Sequence, residues 1–325
     1  MHRVAIIGAG QLGSRHLQGL ARIDIPVEII VVDPSKASLG VARNRFLEIH
    51  NRESVESVTY VGSLGEVPGK LDLAIVATTA DIRGKVVKEV LDRGLTKKMV
   101  LEKVVFQSFS ECEWARSLFF ENGILCWVNC PRRTLDIYRR IKGLVSGEGK
   151  LFYSVYGGEW GLGCNAIHFV DQVFFLTGCR DYRMDVSGLD ESVYGSKRKG
   201  FFEVSGLLRG VFANGSELLL YSHRTSAAPL MVAILAENHH VIIDEANGVA
   251  RVSGKKVGWQ WDEWRFMIPF QSEQTHIFVK DIVLTETCAL TPFQESSEQH
   301  GPLLRALSDF FSLRIEIESG RCPIT

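Results

Sequence analysis

The chain has 325 residues, 46% hydrophobic and 23% charged, with a formal net charge of −1. That length exceeds what one hydrophobic core ordinarily serves, so two domains are expected. A near-zero charge without a basic block argues against nucleic acid and anionic membrane surfaces as partners, and no run approaches the roughly 18 apolar residues of a membrane span.

The first residues read as a strand rather than as a charged-then-apolar leader. Val4-Ala5-Ile6-Ile7 is a short β-branched run that opens into Gly8-Ala9-Gly10-Gln11-Leu12-Gly13-Ser14-Arg15-His16. A glycine cluster between a buried strand and a helix pattern (Leu12, His16, Leu17, Leu20) has a physical logic. Gly8 permits the tight turn, Gly10 lets the backbone approach a pyrophosphate, and Gly13 lets helix and strand pack closely. Free N–H groups and the helix dipole then hold the phosphates, with Gln11 and Leu12 at the helix start. A second strand, Val27-Glu28-Ile29-Ile30-Val31-Val32, ends in Asp33, twenty residues past Gly13, where a carboxylate hydrogen-bonds the ribose hydroxyls of NAD. That carboxylate repels a 2′-phosphate, and Pro34 and Ser35 offer no arginine, so NAD is favoured over NADP although Lys36 and Arg43 lie downstream.

A helix then runs over 35–46, followed by strands over 58–61 and 71–77 and a helix over 82–93, with Gly94 at the position that ends a helix. Next come a strand over 99–103, a helix over 109–121 and a strand over 124–128. This alternation predicts a six-stranded, doubly wound parallel sheet, a Rossmann domain over residues 1–128. The second half, 129–325, reads differently. After strand-like 150–156 and a helix over 165–176, strand-like segments follow one another: 201–212, 217–221, 231–235, 241–244, 249–252 and 275–284. Asn214-Gly215 and Asn247-Gly248 mark turns between them. An α+β domain for substrate binding and dimerisation, with a largely antiparallel open-faced sheet, is expected, closed by a helix over 293–311. Trp259, Trp261 and Trp264 read as an interface or core edge. Seven scattered cysteines (112, 126, 130, 164, 179, 288, 322) fit reduced thiols in a cytoplasm better than a disulfide framework. Cys126 and Cys130 lack a second pair or histidine cluster at ligand spacing, so no metal site is expected.

Ligands of an open parallel sheet sit beyond the carboxyl ends of its strands, and Lys103 follows one such end. The GAGxxGxxH start, Ala77-Thr78-Thr79, Leu101-Glu102-Lys103 and a helix bearing His168 and Asp171 together resemble the glucose–fructose oxidoreductase / inositol dehydrogenase / MocA (Gfo/Idh/MocA) family. The resemblance spans essentially the whole chain. It implies an NAD(P)-dependent oxidoreductase acting on hydroxyl groups of sugars, cyclitols and nucleotide sugars. It maps the family's catalytic lysine onto Lys103 and its active-site histidine onto His168, with Thr78 and Glu102 beside the cofactor. Asn129, Arg132 or Arg133, Trp160, Asn165 and Asp171 are candidate substrate contacts. An arginine there would take a carboxylate or phosphate, Trp160 would stack on a sugar ring, and Asp171 shares a helix face with His168. The chain departs from the family pattern in three places. Val104 replaces the proline of Glu-Lys-Pro, Thr79-Ala80 and Arg83 replace the commoner Pro-Asn and His, and Cys164 stands where an aspartate is common.

These readings predict hydride transfer between NAD and a hydroxyl or keto carbon of a sugar-like substrate, by a homodimer or higher oligomer formed through the open sheet. A base takes the hydroxyl proton, work suited to histidine, while a lysine stabilises alkoxide character or relays the proton. The alternatives are reduction of a C=N or C=C bond on the same fold, a non-catalytic NAD-binding sensor or accessory protein, and an enzyme that retains and recycles its NAD.

Overall fold

The computed structural model describes residues 1–325. In chain order the elements are β1 (His2–Ile7), α1 (Gln11–Leu20), β2 (Val27–Val32), α2 (Lys36–Leu47), β3 (Val55–Val61), β4 (Leu73–Val76), α3 (Ala80–Asp92), β5 (Lys98–Leu101), α4 (Phe109–Asn122) and β6 (Leu125–Val128). They continue with α5 (Asp136–Val145), β7 (Phe152–Gly158), α6 (Leu162–Thr177), β8 (Tyr182–Leu189), β9 (Tyr194–Gly195), β10 (Phe202–Glu203), β11 (Gly206–Phe212) and β12 (Glu217–His223). The last are β13 (Met231–Leu235), β14 (His239–Asp244), β15 (Val249–Gly254), β16 (Trp261–Arg265), α7 (Thr275–Thr285), β17 (Thr291–Pro292) and α8 (Phe293–Ser312). They fold as two compact units. The first comprises Met1–Phe106, Glu113–Asn129 and Pro269–Phe293; the second comprises Gln107–Cys112, Cys130–Ile268 and Gln294–Thr325.

The first unit is built on a seven-stranded sheet of order β17-β6-β5-β4-β1-β2-β3, parallel except for β17. The order reverses at β1, which pairs with β4 on one side and β2 on the other. In doubly wound sheets that reversal opens the ligand crevice at the strand carboxyl ends. Strands covered on both faces carry apolar side chains at every position, and all four residues of β4 are buried. Gly94, at φ +56°, follows α3 in the left-handed region that glycine adopts at no steric cost.

One element is of a different type from the sequence reading. Residues 275–284, read as a strand, form the helix α7. Their β-branched content suits a strand, but Phe278, Val279 and Ile282 are buried while Ile277 and Leu284 are exposed, a helical spacing rather than an alternation. The buried trio joins Leu17, Leu20 and Ile29 in the core of the first unit. Gly19 makes the approach of α1 possible, since a Cβ there would lie 2.8 Å from Thr275 Cβ.

The second unit carries an eight-stranded sheet of order β16-β15-β14-β13-β7-β12-β11-β8, antiparallel except for β7 with β12. Alternation is clean. Tyr153, Val155, Leu218, Leu220, Val232 and Ile234 are buried, whereas Phe152, Tyr156, Tyr221 and Leu235 on the opposite face are exposed. The segment read as one strand over 201–212 breaks at Gly206, whose φ of +93° separates β10 from β11. The apolar helix α6 is buried along nearly its whole length.

Candidate active site

The dinucleotide cradle follows from backbone sterics. Gly8 adopts φ +96°, and a Cβ there would lie 2.9 Å from Thr78 N; a Cβ on Gly13 would stand 1.7 Å from Gly8 O. Around Gly10, by contrast, nothing lies within 4 Å of the added atom, which leaves open space over the helix start. No side chain caps α1 and no acidic residue occupies its first turn, so its N–H groups and dipole face an anion unopposed. Asp33 accepts hydrogen bonds from Ala9 N at 2.7 Å and Ser35 N at 2.8 Å, which fixes its carboxylate at the end of β2. Thr78 Oγ1, just past β4, is buried without a hydrogen-bond partner. A turn only glycine can make, an uncapped helix start, an oriented carboxylate and an orphaned hydroxyl fit a bound dinucleotide. Arg43 lies over the Tyr60 ring, 5.1 Å from its centroid, and Gln11 receives the Arg45 guanidinium on its side-chain oxygen at 2.7 Å.

Lys103 is half-buried, two residues past the end of β5, and the Lys103–Val104 peptide bond is cis. The main chain around it is gripped by Arg83, which is 1% exposed. Its guanidinium donates to the carbonyls of Glu102 at 2.6 Å and Val105 at 2.8 Å, and also to those of Val104 and Thr78. One planar cation thus ties the loops that leave β4 and β5 to each other.

Beneath that loop lies a buried polar network. His16 Nε2 is 2.7 Å from Glu102 Oε1, and His16 Nδ1 is 3.0 Å from Thr275 Oγ1. Asn129 Nδ2 donates to Glu102 Oε1 at 2.6 Å and to Gln271 Oε1 at 2.8 Å. Burial pushes the Glu102 carboxyl up, but the hydrogen bonds of His16 and Asn129 and the nearby Arg83 charge outweigh it and hold the carboxyl below its ordinary range. Glu102 and Asn129, expected beside cofactor and substrate, therefore direct these polar groups to the frame under Lys103. A concavity of about 350 Å³, lined among others by Lys70, Leu95, Lys97 and Asn122, opens at the amino ends of β5 and β6, the opposite edge of the sheet.

In the second unit His168 is 9% exposed on α6, and Asp171, one turn on, is fully buried. Asp171 accepts both arms of Arg133, Nε at 3.0 Å and Nη2 at 2.5 Å, while Glu295 takes Nη2 at 2.5 Å and Gln299 donates to Asp171 at 3.0 Å. Arg132 forms a two-pronged pair with Glu245 at 3.0 and 2.9 Å and lies 4.7 Å from the Phe169 ring. Both arginines of the 132–133 pair thus have carboxylates of their own. Trp160 donates Nε1 to Tyr221 O at 2.9 Å and packs edge-on to Phe169; Asn165 donates to Trp160 O at 2.7 Å. Glu203 accepts the N–H groups of Gly163 at 2.8 Å and Cys164 at 3.2 Å, so a carboxylate from β10 caps the first turn of α6. Burial pushes the Glu203 carboxyl up, and these N–H bonds offset it only in part.

Local sequence pattern does not mark Arg83 and Glu203 as site residues, because most of the groups they hold lie far along the chain. Glu203 lies 40 residues from Gly163, a separation without local periodicity.

Residues 2–130 match the family described as oxidoreductase family, NAD-binding Rossmann fold (Gfo/Idh/MocA). No curated protein matches the chain. Among solved structures, an oxidoreductase from Agrobacterium radiobacter in complex with NAD+, L-tartaric acid and magnesium is 13% identical, with a TM-score of 0.73 over 96% of this chain and 97% of that one. UDP-N-acetylglucosamine 3-dehydrogenase from Acidithiobacillus ferrooxidans is 13% identical, with a TM-score of 0.70 over 96% of each chain. Biliverdin reductase from Synechocystis sp. PCC 6803, in complex with biliverdin and NADP+, is 15% identical, with a TM-score of 0.68 over 91% of this chain and 95% of that one. At such identities the likeness is one of fold. Residues 2–130 are thus similar to the NAD-binding Rossmann fold of the Gfo/Idh/MocA family of oxidoreductases.

Proposed function

We propose that the protein transfers a hydride between NAD and a hydroxyl or keto carbon of a sugar-like substrate. The observation that carries this reading is the frame around Lys103. A lysine at the carboxyl edge of the sheet that bears the dinucleotide cradle is flanked by two carbonyls bound to one buried guanidinium. Such preorganisation suits a group that must meet a developing alkoxide. When bound, NAD supplies the hydride acceptor. Gly8, Gly10, Gln11, Leu12 and Gly13 hold the phosphates, Asp33 the ribose, and Thr78 a further nucleotide group. Lys103 stabilises the substrate oxygen, and His168 takes or returns its proton.

The fold likeness to UDP-N-acetylglucosamine 3-dehydrogenase supports a sugar substrate; that to biliverdin reductase supports reduction of an unsaturated bond as the second reading. Asp33, without an arginine beside it, supports NAD over NADP. The deciding experiment follows absorbance at 340 nm with NAD or NADP and a panel of sugars, uronic acids, cyclitols and nucleotide sugars, with Lys103→Ala in parallel. Turnover with NAD that falls about 10²- to 10⁴-fold in the variant, with NADH binding intact, is expected. Activity on an imine or a bilin alone would move the assignment to the second reading. NADH binding without any turnover would move it to a non-catalytic sensor.

The exposed face of the large sheet supports self-association. Register sets Phe152 opposite Leu235 and Tyr156 opposite both Tyr221 and Met231, an apolar surface on one side of one sheet. A monomer in light scattering at micromolar concentration would exclude that interface.

A further inference from the structure

Three arginines of the second unit lie near α6 or the segments packed at its start, and they differ in what they hold. Arg132 pairs with Glu245, and Arg133 with Asp171 and Glu295. The third, Arg224, follows β12. Its guanidinium lies over the Tyr194 ring, 3.9 Å from the centroid, and its buried Nη1 has no hydrogen-bond partner. A buried donor on a permanently charged group without an acceptor is costly, and it calls for a partner such as a water, an ion or a ligand.

The ring beneath this guanidinium belongs to segments tied to the start of the His168 helix. Tyr194 pairs in the β9–β10 ladder with Glu203, and the Glu203 carboxyl takes the N–H groups of Gly163 and Cys164 at the first turn of α6. Glu159 N donates to His223 O at 3.2 Å, which ties the segment entering α6 to the residue before Arg224. Glu203 already accepts from the helix start, so an anion near it must find its donors elsewhere. Arg224 offers a planar fork held over an aromatic ring, with an unused donor at Nη1.

We propose that Arg224 recognises an anionic group, a carboxylate or a phosphate, on the substrate. The inference rests on the sugar reading above and narrows it to acidic sugars. The sequence pointed to the 132–133 pair for this task, but those guanidiniums are matched by carboxylates of the protein.

The test measures binding rather than turnover, so that it separates from the reading it rests on. NADH-loaded protein is titrated calorimetrically with D-glucuronate, D-glucose 6-phosphate and D-glucose, for the wild type, Arg224→Gln and Arg224→Lys. The wild type is expected to bind at least one charged sugar about 10- to 100-fold more tightly than glucose, as a two-pronged charged contact provides. Arg224→Gln removes that margin, and Arg224→Lys, which keeps the charge without the fork, recovers part of it. A margin for glucuronate alone identifies a carboxylate, and one for the 6-phosphate alone a phosphate. An unchanged NADH titration shows that each variant is folded. Equal wild-type affinity for charged and neutral sugars, or a margin that survives in Arg224→Gln, overturns the inference. Selective binding without turnover leaves Arg224 in its role and overturns the dehydrogenase reading instead.

Discussion

The glycine edge of the first unit and the ion-paired middle of α6 in the second are built by opposite means. At the first, the main chain does the work. Gly8 and Gly13 allow approaches that any Cβ would block, and the donors are backbone N–H groups. At the second, long side chains meet across the fold: Arg133 reaches Asp171 over 38 positions and Glu295 over 162, and Arg132 reaches Glu245 over 113. A site made of backbone is written in local spacing and fails sterically. A site made of ion pairs is written in the fold and fails electrostatically.

Arg133→Met tests the second half of that contrast and carries the largest expected effect on stability. Asp171 is fully buried and Arg133 nearly so, so removal of the cation takes the ion pair from a buried carboxylate, at a cost of about 3–5 kcal/mol. Urea unfolding measures it. A loss below about 1 kcal/mol would mean that Asp171 finds another partner or takes up a proton without penalty. Gly13→Ala tests the first half. The methyl group would stand 1.7 Å from a carbonyl oxygen that belongs to backbone, and overpacking of this kind costs about 1–3 kcal/mol or displaces the turn. NADH affinity in calorimetry is expected to fall at least about tenfold. Retention of wild-type affinity would show that the glycine turn yields freely and does not define the cradle.

The same contrast explains what could be read beforehand. The parallel sheet, the glycine turn and Asp33 rest on residues within one strand–turn–helix–strand stretch, where hydrophobic period and turn chemistry act directly. Residues 275–284 misled because a helix that packs on a sheet can be as rich in β-branched residues as a strand. Only burial of Phe278, Val279 and Ile282 reveals the period. Arg132 looked free for substrate because Glu245, its partner, carries no mark of the pairing in sequence. The departure at Arg83 was visible as an unusual residue, but the four carbonyls it collects come from segments up to 22 positions away, and a local pattern holds no trace of them.

Glu102 lies where both kinds of construction meet, and its titration gives the finest test of the contrast. Its carboxyl is held below the ordinary range because the His16 and Asn129 hydrogen bonds and the Arg83 charge favour the ionised form more than burial disfavours it. A carboxyl lowered in the folded state adds stability that is fully present above its unfolded pKa and is lost as pH falls through the folded one. Glu102→Gln keeps the shape and an acceptor oxygen but cannot ionise. The variant is therefore expected to melt below the wild type at neutral pH, with a gap that narrows as pH falls below the usual carboxylate range, about pH 4. Thr275 and Gln271, which face His16 from the other side, carry no charge and do not enter this balance. Adding His16→Asn to both proteins removes one of the groups that hold the carboxyl down, and should shrink both the gap and its pH dependence. A gap of equal size at pH 7 and in acid would mean that Glu102 acts through shape alone. The frame under Lys103 would then hold by packing, as the glycine edge does, rather than by charge.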